Sequence, residues 1–270
     1  MKLLSYSANG HRYVGIYDGE GIRRVDAPDM LSLIEGGVGA APAGGRDVLA
    51  EARVLPPLRP GKILAIGRNY LEHARELNNE APSEPLVFAI MPSAVIGDGD
   101  VIEWEGDLTA QVDWEGELAV IMGKTARRVS REDALDYVFG YTVANDVSAR
   151  DLQTRDKQWA RAKGLDTFCP IGPGIVTADA IADPQDLTIV TKVKGVEKQN
   201  GSTADMIFKV DVLIEFLSRA FTLNPGDMIL TGTPSGVGKA AKPPQFLGDG
   251  DVVSVEIAGI GKLTNSCRVL

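Results

Sequence analysis

Apolar residues in this chain come in short runs bounded by turn residues, a pattern that predicts many strands and few helices. Residues 1–55 read as a small β-rich unit. It has a hairpin turn at Asn9-Gly10, a second turn at Asp18-Gly19 and a helix near Met30–Glu35. A glycine- and alanine-rich stretch covers 36–45. In Leu55-Pro56-Pro57-Leu58-Arg59-Pro60-Gly61, prolines stiffen the backbone and a glycine releases it, which is the composition of a linker. The boundary is therefore placed here, with residues 1–57 as a small N-terminal β-rich domain and 58–270 as the main domain.

Beyond the linker, Lys62–Gly67 (KILAIG) predicts a buried strand, and Asn69–Leu77 predicts a helical turn or two, or a loop. Three segments share a turn-then-strand grammar: Gly97-Asp98-Gly99-Asp100-Val101-Ile102, Pro225-Gly226-Asp227-Met228-Ile229-Leu230 and Gly248-Asp249-Gly250-Asp251-Val252-Val253. They are too short to be a structural repeat. Helical spacing predicts amphipathic helices at Ser130–Tyr137, with Ser130 as N-cap, and at Phe208–Arg219.

The sharpest chemical signal is the run Val112–Gly123, VDWEGELAVIMG. On a continuous strand Glu115 and Glu117 share one face with Asp113 beside them, while Ala119 and Ile121 continue inward. Two carboxylates on an apolar face repel each other and lose hydration, so they require a cation, unless the strand lies at a sheet edge with its acids in water. Downstream, Phe139–Ala144 predicts an apolar strand ending at Asn145-Asp146, where a third carboxylate can reach the same ion. Three oxygen donors without His or Cys suit Mg²⁺ or Mn²⁺ and disfavour zinc.

Charge narrows the partners. The formal net charge of −9 opposes binding to nucleic acid or anionic membranes, and the first twenty residues contain no apolar run of signal-peptide or membrane-spanning length. The reading is a cytoplasmic protein in which a bound cation makes a local site for an anionic small molecule. Cys169 and Cys267 are far apart and in no metal-binding spacing, so both read as buried thiols. The loop Thr231–Ala240 is glycine-rich but is no P-loop: five residues rather than four separate Gly232 from Gly238, and Ala240 stands where Ser or Thr would hold Mg²⁺. It reads as a loop bringing backbone amides and the Thr233 hydroxyl to a small oxyanion.

Six blocks, GRNYLEHARELN, WEGELAVIMG, VANDVSARDLQ, AKGLDTFCPIGP, GSTADMIF and TGTPSGVG, follow one another in the order found in the fumarylacetoacetate hydrolase family. The resemblance covers about residues 58–270. It implies an α+β, β-rich fold, a mixed β-roll or sandwich with flanking helices, preceded by a small N-terminal domain and assembled as a homodimer. It also implies metal ligands at Glu115, Glu117 and Asp146, and a His73–Glu76 pair on a lid. Catalytic roles fall to His73, Glu76 and Lys163, with substrate contacts from Arg150, Gln153, Lys163 and Thr233. Read without the family, His73 and Glu76 could be a solvated pair three positions apart on a helix, Arg150 could pair with Asp151 or Asp156, and Lys163 could be solvated. One departure is Ile90, where relatives have a lysine before a proline-serine, which predicts a missing positive charge near the site. Lys194-Gly195 replaces an asparagine-glycine turn.

The resemblance implies Mg²⁺- or Mn²⁺-dependent hydrolysis of a carbon–carbon bond in a 2,4-dioxo acid of the acylpyruvate or fumarylpyruvate type. His73 would activate water, and an enolate of pyruvate would leave. Oxaloacetate decarboxylation and isomerisation of 2-hydroxyhepta-2,4-diene-1,7-dioate in aromatic catabolism pass through related enolates and stand as alternatives. A catalytically silent metal- or ligand-binding relative is the non-enzyme alternative. The distal half of the substrate would meet loops such as 75–85 and 240–247.

Overall fold

The computed structural model describes residues 1–37 and 42–270. The chain begins as an antiparallel meander, β1 (Lys2–Ala8), β2 (His11–Tyr17) and β3 (Ile22–Val25). Asn9 and Gly10 have φ of 50° and 79°, the left-handed pair that a two-residue hairpin turn needs to match strand twist. Helix α1 (Met30–Gly36) is capped by Asp29, whose carboxylate accepts from the Ser32 amide at 2.8 Å, and it buries Met30, Leu33 and Ile34. β4 (Pro42–Asp47) and β5 (Arg53–Val54) follow. Within the glycine- and alanine-rich stretch, residues 38–41 lie outside the described residues.

After the proline-rich segment come β6 (Ile63–Gly67), α2 (Leu71–Glu76), β7 (Leu86–Ile90), β8 (Val95–Ile96) and β9 (Val101–Trp104). Then follow β10 (Val112–Asp113), β11 (Gly116–Met122), β12 (Val138–Asn145), β13 (Ser148–Ala149), α3 (Arg150–Asp156) and α4 (Ala160–Lys163). The chain closes with β14 (Cys169–Thr177), β15 (Thr188–Val193), β16 (Val196–Ser202), α5 (Val210–Ala220), β17 (Met228–Leu230), β18 (Val252–Ile257) and β19 (Gly261–Val269).

A 12-stranded sheet runs β4-β3-β2-β1-β14-β12-β11-β17-β6-β7, with β5 beside β1 and β8 beside β14. A five-stranded sheet runs β16-β15-β18-β19-β9, and β10 and β13 form a two-stranded ribbon. This is the β-rich α+β architecture that the family resemblance implies, with the many strands and few helices that the apolar pattern predicts. The N-terminal strands extend the large sheet, because β1 pairs antiparallel with β14 through Lys2↔Val176 and Leu3↔Ile175.

β11 lies at the centre and is buried on both faces. Leu118, Val120 and Met122 face a core shared with Ile189, Val255 and Ile257 of the second sheet and with Leu213 and Leu217 of α5. Ala119 and Ile121 face a second core, filled by Leu3, Leu33 and Ile63. Burial of an apolar strand on both sides removes the option of a solvated edge for any acid it carries.

Two expectations need correction. The run Val112–Gly123 is not one strand: it breaks at Trp114-Glu115 between β10 and β11. Ser130–Tyr137 holds only a 3₁₀ turn over Ala134–Tyr137, and the Ser130 hydroxyl bonds the Asp133 carboxylate at 2.8 Å and accepts from its amide at 3.3 Å. That local bonding offers the backbone an alternative to a helix. The Phe208–Arg219 helix forms as α5.

Candidate active site

Four neighbouring strands of the large sheet deliver their ends to one place. β12 pairs with β11 in the register Gly116↔Asn145 and Glu117↔Ala144, and the Asp146 amide donates to Glu115 O at 2.9 Å, so Asp146 is set beside both glutamates. β17 pairs with β11 and runs into Thr231-Gly232-Thr233, where the Gly232 amide donates to Glu117 Oε2 at 2.7 Å and the Thr233 hydroxyl to Gly116 O at 2.9 Å. β6 lies parallel to β17 and feeds Arg68, Asn69 and α2 over the same place. Asn69 ties this crossing down, donating to Thr231 O at 2.8 Å and Phe208 O at 2.9 Å.

Carboxylate oxygens of Glu115, Glu117 and Asp146 lie within 4.8 Å of one another, and all three residues are buried. Lys163 Nζ donates to Glu115 Oε2 at 2.6 Å and Asp146 Oδ2 at 2.7 Å. Arg150 donates to Asp113 Oδ2 at 2.8 Å and Glu115 Oε1 at 2.6 Å. Asp113 therefore sits behind Glu115, on Arg150, and not beside the two glutamates as a continuous strand would have placed it.

Burial opposes ionisation of Glu115, yet Lys163 and Arg150 outweigh it and hold this carboxyl at about 2. Burial, followed by the charges of Asp146 and Glu115, pushes Glu117 well above the usual carboxylate range. Burial likewise pushes Asp146 up to about 6 against the pull of Lys163. Burial pulls Lys163 down, but Asp146 and Glu115 prevail and hold its ammonium above the ordinary lysine value.

The residues present fit a divalent cation. Four buried carboxylates, Asp113, Glu115, Glu117 and Asp146, face two buried cations, Arg150 and Lys163, so full ionisation leaves two negative charges without a counter-charge. Asp146 Oδ1 is buried with no hydrogen-bond partner among the described residues, which is costly unless something else coordinates it. The donor set is oxygen alone.

His73 adds a base to the same cavity, a space of about 290 Å³ that also borders Glu115, Glu117, Arg150, Lys163 and Thr233. His73 is 5% exposed and its Nδ1 lies 2.7 Å from Glu76 Oε1, which leaves Nε2 as the nitrogen available to the cavity. The solvated-pair alternative for His73 and Glu76 is thus excluded, as are surface roles for Arg150 and Lys163, each 2% exposed. Gln153 Oε1 accepts from Arg150 Nη1 at 3.2 Å and lines the cavity.

The glycine-rich loop uses its amides on the protein's own carboxylates rather than on a free oxyanion. Besides Gly232 on Glu117, the Gly236 amide donates to Glu76 Oε2 at 2.9 Å and the Gly238 amide to Asp113 Oδ1 at 2.7 Å. Gly236 has φ of 105°, and a Cβ there would lie 2.0 Å from Lys198 O, so only glycine fits.

Against known proteins, the chain matches the model of the fumarylacetoacetate (FAA) hydrolase C-terminal region over residues 62–268. It belongs to the fumarylacetoacetate hydrolase family. Oxaloacetate tautomerase YisK of Bacillus subtilis is 49% identical over 221 residues, which are 80% of this chain and 73% of that protein. The solved fumarylacetoacetate hydrolase of Exiguobacterium antarcticum superposes with a TM-score of 0.92 at 40% identity, covering 100% of both chains. The solved maleylpyruvate hydrolase of a Sphingobium species, in complex with manganese(II) and pyruvate, gives 0.83 at 32% identity, covering 100% of this chain and 99% of that one. The fold and the coarse class follow: this is a family of metal-dependent enzymes, and the three-carboxylate cluster could hold the ion.

Within the fumarylacetoacetate hydrolase fold, Ile90 is 1% exposed and packs in the core with Ile63 and Ala65, away from the cavity. The residue directly before Pro92 is Met91, and neither lines the site, so no positive charge is lost from the cavity at position 90. Lys194-Gly195 does form the hairpin turn, with φ of 53° and 76°, and Lys194 Nζ reaches Asp251 at 2.6 Å.

Two buried polar residues escaped the sequence reading. Gln199 accepts from the Gly116 amide at 2.9 Å and donates to Thr233 Oγ1 at 2.7 Å and Pro234 O at 2.8 Å, locking β11 to the glycine-rich loop. Asn145 accepts from the Glu115 amide at 2.9 Å across the strand break. An Asn directly before a candidate ligand was the one local signal; Gln199 gave none, since its partners lie far along the chain.

Proposed function

We propose that this enzyme interconverts the keto and enol forms of a small 2-oxo acid, oxaloacetate in particular, with Mg²⁺ or Mn²⁺ on Glu115, Glu117 and Asp146. The observation that carries the reading is that buried His73, bonded to half-buried Glu76, lines the same cavity as Glu115 and Glu117, with a carboxylate oxygen of Asp146 within 4.8 Å of theirs. Bound there, the cation would act as a Lewis acid on the 2-oxo oxygen. His73 takes a proton from C3 of the keto acid and returns it to the enolate oxygen, so the step is a pure isomerisation. Glu76 fixes the ring through Nδ1 and stabilises the imidazolium while it holds the proton. Lys163 supplies positive charge beside the developing enolate, and Arg150, Gln153 and Thr233 position the acid's carboxylate end. The 49% identity to an oxaloacetate tautomerase supports the substrate.

A second reading, hydrolysis of a 2,4-dioxo acid, is favoured by the same His–Glu pair acting on water and by the likeness to a maleylpyruvate hydrolase holding pyruvate. Decarboxylation of oxaloacetate and isomerisation of a 2-hydroxy-dienedioate belong to the same enolate chemistry. A silent binding protein would have no use for a buried base beside a complete ligand set. The reading extends to a cytoplasmic homodimer; among the described residues, no helix is long and apolar enough to cross a membrane.

One panel separates these activities. Metal-loaded enzyme is given enol-oxaloacetate, followed by loss of enol absorbance, and acylpyruvates, followed by pyruvate release. Enol loss far above the metal-only rate, with little pyruvate from acylpyruvates, is expected. The reverse order of rates would make the enzyme a hydrolase.

A further inference from the structure

Four cations border the cavity, and only two of them are engaged. Arg150 is bonded to Asp113, Glu115 and Gln153, and Lys163 to Glu115 and Asp146. Arg68 and Lys239 line the same cavity, and among the described residues neither side chain has a hydrogen-bond or ion-pair partner, Lys239 bonding only through its backbone amide. Of the acids bordering the cavity, Glu115 is held by Arg150 and Lys163, and one oxygen of Glu117 accepts the Gly232 amide; Arg68 is half-buried at the cavity and Lys239 stands exposed at its rim. In a chain with 37 acidic and 28 basic residues, two cations left without acidic partners at a single cavity point to a ligand that supplies the anion.

We propose that Arg68 and Lys239 receive the second carboxylate of a dicarboxylic 2-oxo acid, and so set the enzyme's preference for dicarboxylates over monocarboxylates. The proposal rests on the reading that the cavity takes a 2-oxo acid. Once a divalent ion balances the cluster, a monocarboxylate adds one negative charge near it, whereas a dicarboxylate brings another, and Arg68 and Lys239 are the cavity's Arg and Lys side chains not already bonded to an acid among the described residues.

Both side chains spring from fixed backbone. Arg68 has φ of 58° and stands between Gly67, against which Trp159 packs too closely for any Cβ, and Asn69, whose side chain makes three hydrogen bonds. The Lys239 amide donates to Asp113 Oδ2 at 3.0 Å, tying its turn to the acid that also holds Arg150. Burial, followed by the nearby Arg150 charge, holds the Lys239 ammonium below the usual lysine value, as fits a cation set near another cation. Fixed origins limit the ordering needed on binding. The cavity, about 290 Å³, also suits a short diacid.

The test uses a matched pair of unreactive probes, oxamate and N-oxalylglycine, which share the oxalyl head and differ by a CH₂COO⁻ arm. Binding to the Mn²⁺-loaded full chain is measured by calorimetry for the wild type, Lys239→Met, Lys239→Arg and Arg68→Asn. Asparagine is chosen because it tolerates left-handed backbone. The wild type should prefer N-oxalylglycine. Lys239→Met and Arg68→Asn should each cut that preference roughly tenfold, the loss of one charge-assisted hydrogen bond, and Lys239→Arg should restore most of it. An unchanged ratio in both neutral variants, or an equal loss for both probes, overturns the proposal while leaving the 2-oxo acid reading in place. Failure of both probes to bind wild-type protein overturns the two together.

Discussion

Asp146 shows how burial and charge combine to make a metal ligand. One of its oxygens is held by Lys163 at 2.7 Å, and the other is buried without a hydrogen-bond partner among the described residues. Its folded pKa of about 6 lies above the unfolded value, so its proton is bound more tightly in the folded state. In metal-free protein this group's contribution to stability is therefore fully present below the ordinary aspartate value of 3.8 and is lost as pH rises through about 6. Protons also compete with a cation there, so affinity for Mn²⁺ should weaken steeply as pH falls below about 6, and calorimetry between pH 5 and pH 8 checks it. A flat affinity profile would separate Asp146 from the metal. His73→Ala should lower kcat by roughly 10²–10⁴ on enol-oxaloacetate with a much smaller change in KM, as for a removed acid–base group. Steady-state kinetics decide this, and Glu76→Gln should move in the same direction. The glutamate pair was legible because acids do not belong in an apolar run, and the histidine because the chain has only two. Gln199 and the unpaired Lys239 were not, since each depends on partners, or their absence, that only the tertiary structure reveals.

Strands were more legible than helices because the turns that bound them have their own chemistry. The Asp-Gly turns before β9 and β18, and Pro225-Gly226-Asp227 before β17, fix the starts of those strands. The interruption between β10 and β11 was hidden, because VDWEGELAVIM alternates as one strand would. It arises from tertiary bonds: Trp114 Nε1 donates to Gly236 O at 3.1 Å and the Glu115 amide to Asn145 Oδ1. The 3₁₀ turn at Ala134–Tyr137 shows the opposite failure, where helical spacing was present and the Ser130–Asp133 bonding won. Among these elements the glycine-rich loop is the tightest joint. Gly236→Ala would force a Cβ against Lys198 O and break the amide contact to Glu76, so the variant should lose about 2 kcal/mol or more of stability in urea unfolding, with activity falling further. A variant with wild-type stability and activity would show that the loop has room to adjust.

Across the molecule, the large sheet joins the N-terminal strands to the strands that build the site. Leu3 is fully buried in the same core as Ala119 and Ile121, the residues that continue the Glu117 face of β11. The family match begins at residue 62, close to the proposed boundary at 57/58. Deleting residues 1–57 would nonetheless uncover the β14 edge and that core, so the truncated chain should aggregate where the full chain stays dispersed, which light scattering reports. A dispersed, active fragment would mean that the two parts are independent. At the centre of the fold, a divalent ion would balance the buried charge of Glu115, Glu117 and Asp146. The direct test of that balance is calorimetric titration of chelator-treated protein with Mn²⁺ at neutral pH, run on the wild type and on Glu117→Ala and Asp146→Ala. One ion should bind per wild-type chain and raise its thermal midpoint, while each variant folds, binds the ion far more weakly and gains no midpoint shift. Undiminished binding of one ion by both variants would place the metal elsewhere and contradict the account.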